Sequence, residues 1–158
     1  MTRLTLLTVG TLKEGYLREA FDEYSKRLSA FAQVEPVSLK EEKLANESPA
    51  AVREALEAEG ERLLAHIPEG AFTVALCVEG KELSSEELAG LVGRAQDTHG
   101  KLCFIIGSSY GLAQKVKNRA DFRLSFSRLT FPHQLMRVIL AEALYRSFTI
   151  VKGKKYHK

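Results

Sequence analysis

The chain alternates short apolar runs with segments of helical periodicity. RLTLLTV (3–9) precedes an amphipathic stretch at 14–28, and the runs FTVALCV (72–78) and LCFIIG (102–107) are apolar almost throughout. Strands that are buried on both faces have this composition, and parallel strands need crossover connections that helices supply. The pattern therefore predicts an α/β fold with a mostly parallel sheet and helices on both faces.

Turn and capping residues divide the chain into ten predicted elements. Pro36 favours an edge position for the second strand, and Ser84 with Glu87 has the spacing of a helix-capping box. No repeat or linker divides the chain, so we expect a single domain over residues 1–158. The predicted strands are 3–9, 34–39, 72–78, 102–107 and 122–127, and the predicted helices are 14–28, 47–67, 84–100, 112–120 and 132–148.

The charge is divided unevenly along the chain. Residues 1–100 hold 11 Lys and Arg against 18 Asp and Glu, whereas residues 101–158 hold 12 against two. A basic C-terminal third favours a polyanionic partner there. A solvated basic face is the equally simple alternative.

Several classes of protein are disfavoured by what the sequence lacks. No apolar run has the length of a membrane span, and the N-terminus does not resemble a secretory signal. The segment GTLKEG (10–15) is followed by Tyr16 where a Walker loop needs Lys, and no GxGxxG follows the first strand. Cys77 and Cys103 lie inside apolar runs without a Cys/His cluster, so we expect reduced thiols and no metal. Together with the missing membrane span and secretory signal, this favours no membrane association and a cytoplasmic location.

The last predicted helix is apolar nearly all round. Residues 138–144 leave it little solvent-facing surface, and a helix of this kind must be covered on several sides. We expect a homodimer to supply part of that cover, with burial in the core of one chain as the alternative. Glu142 and Arg146 have the i, i+4 spacing of an ion pair, which we interpret as partly buried and orienting rather than as an ordinary surface pair.

Two late turns follow predicted strands and combine glycine, hydroxyl and aromatic groups. IIGSSYGL (105–112) contains Gly107 and Gly111, which permit close backbone approach or positive φ. FSRLTF (126–131) suits a heterocycle with polar edges, and the simpler interpretation, that Thr130 caps the next helix, is compatible with ligand contact. Since ligands collect at the carboxyl ends of parallel strands, we expect a binding site at these turns, with ordinary connecting turns as the alternative.

The chain ends in KKYHK, which combines lysines with Tyr156 and His157. Ammonium groups bind phosphates, tyrosine stacks on bases, and histidine transfers protons near neutral pH. This combination favours an RNA-modifying site over a protein-binding tail, against the alternative of a frayed basic terminus.

Four segments carry a resemblance to a known family. TVALCVEGKELSSEELA, FIIGSSYGL, LSFSRLTFPHQLMRVILAEALYRSF and the terminal KKYHK together resemble the ribosomal RNA large subunit methyltransferase H family of SPOUT methyltransferases, and the similarity extends over essentially the whole chain. The resemblance implies an α/β-knot fold with a C-terminal trefoil knot, and a homodimer. It also implies methylation, from S-adenosylmethionine, of N3 of a pseudouridine in 23S rRNA within the assembled ribosome.

The resemblance also assigns residues to roles. It implies methyl-donor contacts at a strand residue and at both late turns, and it places Ser108 where the family often has a second glycine. Our interpretation of the tail makes His157 the proton acceptor and Tyr156 a partner of the uracil ring. Arg146, oriented by Glu142, would stabilise negative charge developing on a carbonyl oxygen or hold a phosphate. The implied donor-binding residues are Leu76, Gly107, Phe126, Ser127, Arg128, Leu129, Thr130 and Phe131.

Three other functions are compatible with parts of this pattern. A SPOUT methyltransferase acting on tRNA or on a ribose 2′-oxygen would share the donor turns. A ribosome-associated protein without catalytic activity would not need both turns together with the Tyr-His ending. A nucleotide-binding metabolic enzyme is disfavoured by the missing phosphate motifs and the basic C-terminal third.

Overall fold

A computed structural model describes residues 1–158 and contains the ten predicted elements in the predicted order. The strands are β1 (Thr2–Val9), β2 (Ala32–Leu39), β3 (Phe72–Glu82), β4 (Lys101–Ile106) and β5 (Phe122–Ser125). The helices are α1 (Gly15–Leu28), α2 (Pro49–His66), α3 (Ser85–His99), α4 (Gln114–Arg119) and α5 (His133–Val151).

The five strands form one sheet in the order β2-β1-β4-β3-β5, and every adjacent pair is parallel. The expected mostly parallel α/β sheet is thus confirmed. β2 lies at an edge, as Pro36 predicted, because proline lacks the N–H that a second neighbouring strand would require.

Helices cover both faces of the sheet, and each face has its own apolar core. The alternating side chains of β4 show the division: Phe104 packs with α1, α3 and α5, whereas Ile105 packs with α2 and α4. Both of these side chains are fully buried. The period-two alternation of a strand thereby anchors both helical layers to one central strand.

The helix ends follow their sequence signals closely at α2 and α3. Ser48 caps α2, with Pro49 in its first turn, and Ser84 and Glu87 form the predicted capping box of α3. Gly100 ends α3 with a φ of 68°, a left-handed conformation that favours glycine. α5 departs slightly from expectation: Pro132 precedes the helix as its N-cap, and the helix continues to Val151.

β3 is longer than predicted because a bulge interrupts its pairing with β5. The register shifts between Leu76 and Lys81. A Cβ at Gly80 would lie 2.8 Å from the backbone of Arg123, so only glycine fits there without displacement. The bulge carries residues 77–79 away from the ladder at the carboxyl edge of the sheet.

α5 is covered mainly by its own chain. It packs against α1 and α3, and no residue from Met136 to Ile150 is exposed. Its all-round apolar character is therefore largely explained by burial within one chain, and the homodimer remains a prediction. The trefoil knot implied by the family resemblance is likewise still a prediction. None of the helices combines the length and hydrophobicity that crossing a membrane requires.

Candidate active site

A cavity of about 610 Å³ opens at the carboxyl ends of β3, β4 and β5. Its walls are the β3 bulge, the turn after β4, the turn after β5 and the start of α5. Half of its 22 lining residues are apolar, and hydroxyls and backbone amides are interspersed among them. This composition suits an organic ligand with both apolar and hydrogen-bonding parts.

The turn after β4 folds tightly on itself. Gly111 donates its N–H to the carbonyl of Ser108 at 2.9 Å and has a φ of 90°. A Cβ at Gly107 would overlap the Gly111 carbonyl oxygen. Gly107 is therefore needed for close backbone approach, whereas Gly111 is needed for its positive φ. Ser108 has a negative φ, so it replaces a glycine without backbone strain of that kind.

The turn after β5 is held by serine side chains. Ser125 donates its hydroxyl to the Ser127 carbonyl at 3.0 Å, and the Ser127 hydroxyl accepts the Leu129 N–H at 3.0 Å. The alternative role of Thr130 as a helix cap is wrong, because α5 is preceded by Pro132 and has no side-chain cap.

The structure brings most of the predicted donor-binding residues together. Seven of the eight line the cavity, and Arg128 does not. Arg128 lies within the same turn but is exposed to solvent. The seven are Leu76, Gly107, Phe126, Ser127, Leu129, Thr130 and Phe131.

The cavity wall on the β3 side contains a thiol and an ion pair. Glu79 accepts a hydrogen bond from Lys117, which lowers the pKa of that carboxyl. Burial, and then the nearby charge of Glu79, raise the pKa of the Cys77 thiol. Cys77 is consequently a protonated, weakly nucleophilic group at neutral pH. Neither cysteine is in a disulfide, as expected.

The four predicted catalytic residues form a second cluster, where the tail folds back on α5. Glu142 Oε1 accepts hydrogen bonds from Arg146 Nε at 3.1 Å and Nη2 at 2.6 Å, and from the Tyr156 hydroxyl at 3.1 Å. The Glu142 and Arg146 side chains are 26% and 30% exposed, so the predicted partly buried pair is confirmed. Burial, and then the charge of Glu142, raise the pKa of Tyr156, which is therefore a hydrogen-bond donor at neutral pH.

Both ring nitrogens of His157 are engaged. Nδ1 lies 3.1 Å from Arg146 Nη1, and Nε2 lies 2.7 Å from Glu86 Oε1. A guanidinium only donates, so these partners assign the neutral tautomer with its proton on Nε2. His157 donates to Glu86 and lowers the pKa of that carboxyl. In this arrangement neither nitrogen is free to accept another proton.

Within one chain, the predicted donor-binding residues and the predicted catalytic residues do not line the same cavity. None of Glu142, Arg146, Tyr156 and His157 lines the cavity at the strand ends. The turns and the tail can act on one substrate only if the tail moves or if two chains combine their sites.

Some residues at these sites were not singled out from the sequence. Tyr110, His133 and Met136 also line the cavity. These residues lie within or just after the two turns in the sequence, and that position could have identified them as cavity residues. Burial lowers the pKa of His133, which favours its neutral imidazole. Glu86 had no such signal, because its contact with His157 joins positions 71 residues apart.

Comparison with known proteins agrees with this geometry. The family model described as "Predicted SPOUT methyltransferase" matches residues 2–157. A protein of Carboxydothermus hydrogenoformans named ribosomal RNA large subunit methyltransferase H is 48% identical over 158 residues, covering 98% of this chain and 99% of that protein. A protein of the same name from Bacillus pumilus is 46% identical with the same coverage.

Solved structures support the fold at much lower sequence similarity. A probable methyltransferase from Bordetella pertussis Tohama I matches with a TM-score of 0.59 at 15% identity, over 93% of this chain and 96% of that one. A probable methylase family protein from Haemophilus influenzae matches with a TM-score of 0.57 at 14% identity, over 98% of this chain and 70% of that one. With the full-length family match, these findings show that the chain belongs to the SPOUT methyltransferase family.

Proposed function

We propose that this enzyme transfers a methyl group from S-adenosylmethionine to N3 of a pseudouridine in 23S rRNA, within the assembled ribosome. The observation that carries the proposal is the single cavity at the strand ends, which gathers seven of the eight implied donor-binding residues. The near full-length relatives named ribosomal RNA large subunit methyltransferase H supply the substrate class.

The residues of the cavity fit the methyl donor. The phenyl rings of Phe126 and Phe131 provide apolar walls for an adenine, while the tight turn at 107–111 and the serine-held turn at 126–131 offer backbone groups to its polar edges. S-adenosylmethionine supplies an electrophilic methyl group when bound. The protein's contribution is to hold nucleophile and methyl carbon in line at near-attack distance.

The target nitrogen must lose its proton as the bond to the methyl carbon forms and the carbon–sulfur bond breaks. His157 is the proposed acceptor of this proton. Its Nδ1 can take up the proton only after its contact with Arg146 has opened, because a guanidinium only donates hydrogen bonds and cannot accept one from the new N–H. Arg146, freed from His157 but still held by Glu142, would stabilise negative charge developing on a uracil carbonyl.

We further propose that two chains combine to form the complete site. Exposed apolar side chains gather at the cavity: Val78, Tyr110 and Leu129 line it and are 50%, 47% and 71% exposed. Such groups are typical of a surface that a partner covers. The basic tail of a second chain, with its Tyr156 and His157, is the proposed cover, and its lysines would contact RNA phosphates.

Mass spectrometry of 23S rRNA tests the proposed reaction. Ribosomes from cells that lack the protein should carry an unmethylated pseudouridine, which gains the mass of one methyl group after treatment with the purified protein and S-adenosylmethionine. Parallel reactions with free large subunits and with tRNA serve as controls. Methylation of tRNA alone, or of a ribose oxygen, would contradict the proposal.

A further inference from the structure

The wall of the cavity at the strand ends contains one pair of oppositely charged side chains. Lys117 on α4 donates a hydrogen bond from Nζ to Glu79 Oε1 in the β3 bulge, and both residues line the cavity. No other lining residue is Lys, Arg, Asp or Glu. Burial lowers the pKa of His133 and so favours its neutral imidazole. The pair is therefore the one ionic feature of a surface that is otherwise apolar or uncharged.

The lysine of this pair is set into the cavity wall. Its side chain is 17% exposed, whereas that of Glu79 is 54% exposed. The hydrogen bond from Lys117 lowers the pKa of the Glu79 carboxyl, which is consequently ionised at neutral pH. An ammonium with so little access to water needs a partner to compensate for its lost hydration, and Glu79 provides that partner at the cavity surface.

Arg123 on β5 holds both halves of the pair. A Cβ at Gly80, the residue after Glu79, would lie 2.8 Å from the Arg123 backbone, so the bulge approaches β5 as closely as glycine allows. The Arg123 guanidinium contacts α4, where Nε donates to the Lys117 carbonyl at 3.1 Å and Nη2 donates to Asn118 Oδ1 at 2.9 Å. One strand thus fixes the two segments that carry the charges, as a preorganised binding site requires.

The pair has capacity for further contacts. Lys117 Nζ donates only the hydrogen bond to Glu79, although an ammonium can donate three, and the two oxygens of a carboxylate can accept several. S-adenosylmethionine combines an adenosine part with an amino-acid end, which carries one carboxylate and one ammonium at neutral pH. A zwitterion beside an ion pair can align its charges in the opposite order, so that each of the four groups meets an opposite charge.

We infer that Lys117 and Glu79 bind the amino-acid end of the methyl donor, with the Lys117 ammonium on its α-carboxylate and the Glu79 carboxylate on its α-ammonium. The inference rests on the proposed function, since it takes S-adenosylmethionine as the ligand of the cavity. It gives the ion pair a role in selecting the donor, because an adenosine derivative without the amino-acid end would leave the pair unused.

Two ligands and two variants test the inference. S-adenosylhomocysteine has the adenosine and the amino-acid end, whereas methylthioadenosine has the adenosine and the thioether sulfur without the amino-acid end. Lys117→Met removes the ammonium from a side chain of similar length. Lys115→Met is the matched control, because Lys115 forms ion pairs with Glu57 and Glu61 from the same helix and does not line the cavity. Calorimetry measures both affinities after circular dichroism has shown each variant to be folded.

We expect the unaltered protein to bind S-adenosylhomocysteine at least about tenfold more tightly than methylthioadenosine. Lys117→Met should weaken the binding of S-adenosylhomocysteine about tenfold and that of methylthioadenosine less than about threefold. Lys115→Met should leave both affinities within about threefold of the unaltered protein. Should Lys117→Met fail to fold, Glu79→Gln replaces it, with S-adenosylhomocysteine weakened about fivefold and methylthioadenosine unchanged.

The inference is overturned if Lys117→Met, or Glu79→Gln in its place, weakens both ligands equally or neither of them, or if Lys115→Met reproduces the selective loss. Equal binding of the two ligands by the unaltered protein would overturn it as well. A failure of the proposed function gives a different result, because the unaltered protein would then bind neither of these ligands nor S-adenosylmethionine itself.

Discussion

Cys77 and Cys103 differ in their access to solvent, and this difference makes Cys77 a probe of the cavity at the strand ends, where we propose that the methyl donor binds. Cys77 lines the cavity, whereas Cys103 is buried in β4 and burial raises its pKa to about 12. We predict that a maleimide or iodoacetamide labels Cys77 alone in the folded protein. Because its pKa is also raised, labelling should accelerate as pH increases and the thiolate becomes populated.

Saturating S-adenosylmethionine should protect Cys77 from this labelling, and intact-protein mass spectrometry at timed intervals measures the rate. Denatured protein, in which both thiols react, is the control. Unchanged labelling of Cys77 at saturating donor would contradict the assignment of the cavity.

Tyr156 has two separable contacts. Its hydroxyl donates to Glu142, and its ring packs edge-on against Tyr145 with centroids 4.7 Å apart. Tyr156→Phe keeps the ring contact and removes the hydroxyl, so we predict a loss in kcat/KM of about tenfold with unchanged donor affinity. Tyr156→Ala, which removes both contacts, should lose more. Unchanged kcat/KM in Tyr156→Phe would assign the hydroxyl no role, whereas an equal loss in both variants would assign the ring contact none.

Arg146 connects Glu142 with His157, so its replacement should affect catalysis before it affects folding. We predict that Arg146→Ala lowers rRNA methylation at least about 100-fold while donor binding and the molecular mass in solution, that of the proposed dimer, stay unchanged. Single-turnover methylation and light scattering on the same preparation provide the measurement. A variant that loses only its dimerisation would show that Arg146 is structural.

Among the elements, α3 shows that a capping box can be predicted from sequence spacing. Ser84 and Glu87 were paired from their spacing alone, and the structure contains both hydrogen bonds, at 3.1 Å and 2.8 Å. Capping interactions join residues within one helical turn, so the local sequence is sufficient to predict them. The same holds for Ser48 and Gly100.

Removing the cap of α3 should have a measurable cost. Ser84→Ala leaves the Glu87 N–H without its partner, and we predict a loss of about 1 kcal/mol in the free energy of unfolding. Ser85→Ala is the matched control, because Ser85 makes no side-chain hydrogen bond and should change stability by less than about 0.5 kcal/mol. Urea denaturation compares them, and equal losses would contradict the role of the cap.

A glycine-to-alanine substitution tests whether the tight turn after β4 binds the methyl donor. Gly107→Ala places a Cβ on the Gly111 carbonyl, so the turn must open, and we predict loss of donor binding by at least about tenfold. Gly90→Ala in α3 meets only the flexible tip of Arg94 and should keep full affinity. Full affinity in Gly107→Ala would show that this turn does not bind the donor.

Contacts between distant elements explain what the sequence did not reveal. The bulge of β3 depends on the backbone of Arg123 approaching Gly80, and the hydrogen bond from the Glu42 N–H to Glu59 depends on how α2 lies on the sheet. Neither relation has a local pattern. Leu76 likewise looked like an ordinary core residue from its strand, and only the family resemblance placed it at the donor site.

At the scale of the whole molecule, the tail and the proposed donor cavity can be tested independently. Since the tail lines no part of its own chain's cavity, we predict that deleting residues 156–158 leaves donor affinity unchanged and abolishes ribosome methylation. Calorimetry and rRNA mass spectrometry on one preparation test both halves. Normal turnover by the shortened protein would contradict the proposed role of the tail.

Periodicity predicted the parallel sheet and its two helical layers well, because each strand must bury both faces and each crossover must be helical. It did not decide what covers α5: α1 and α3 of the same chain pack against its apolar surface, and the homodimer remains a prediction. The trefoil knot and the homodimer are still predictions, and they depend on topology and surface complementarity, which hydrophobic periodicity does not encode.

A crystal structure of the protein with S-adenosylmethionine bound tests the central claim most directly. The account predicts the donor between the turns at 107–111 and 126–131, with its adenine against Phe126 or Phe131 and Leu76. A donor bound at any other part of the molecule, with these turns empty, would contradict it.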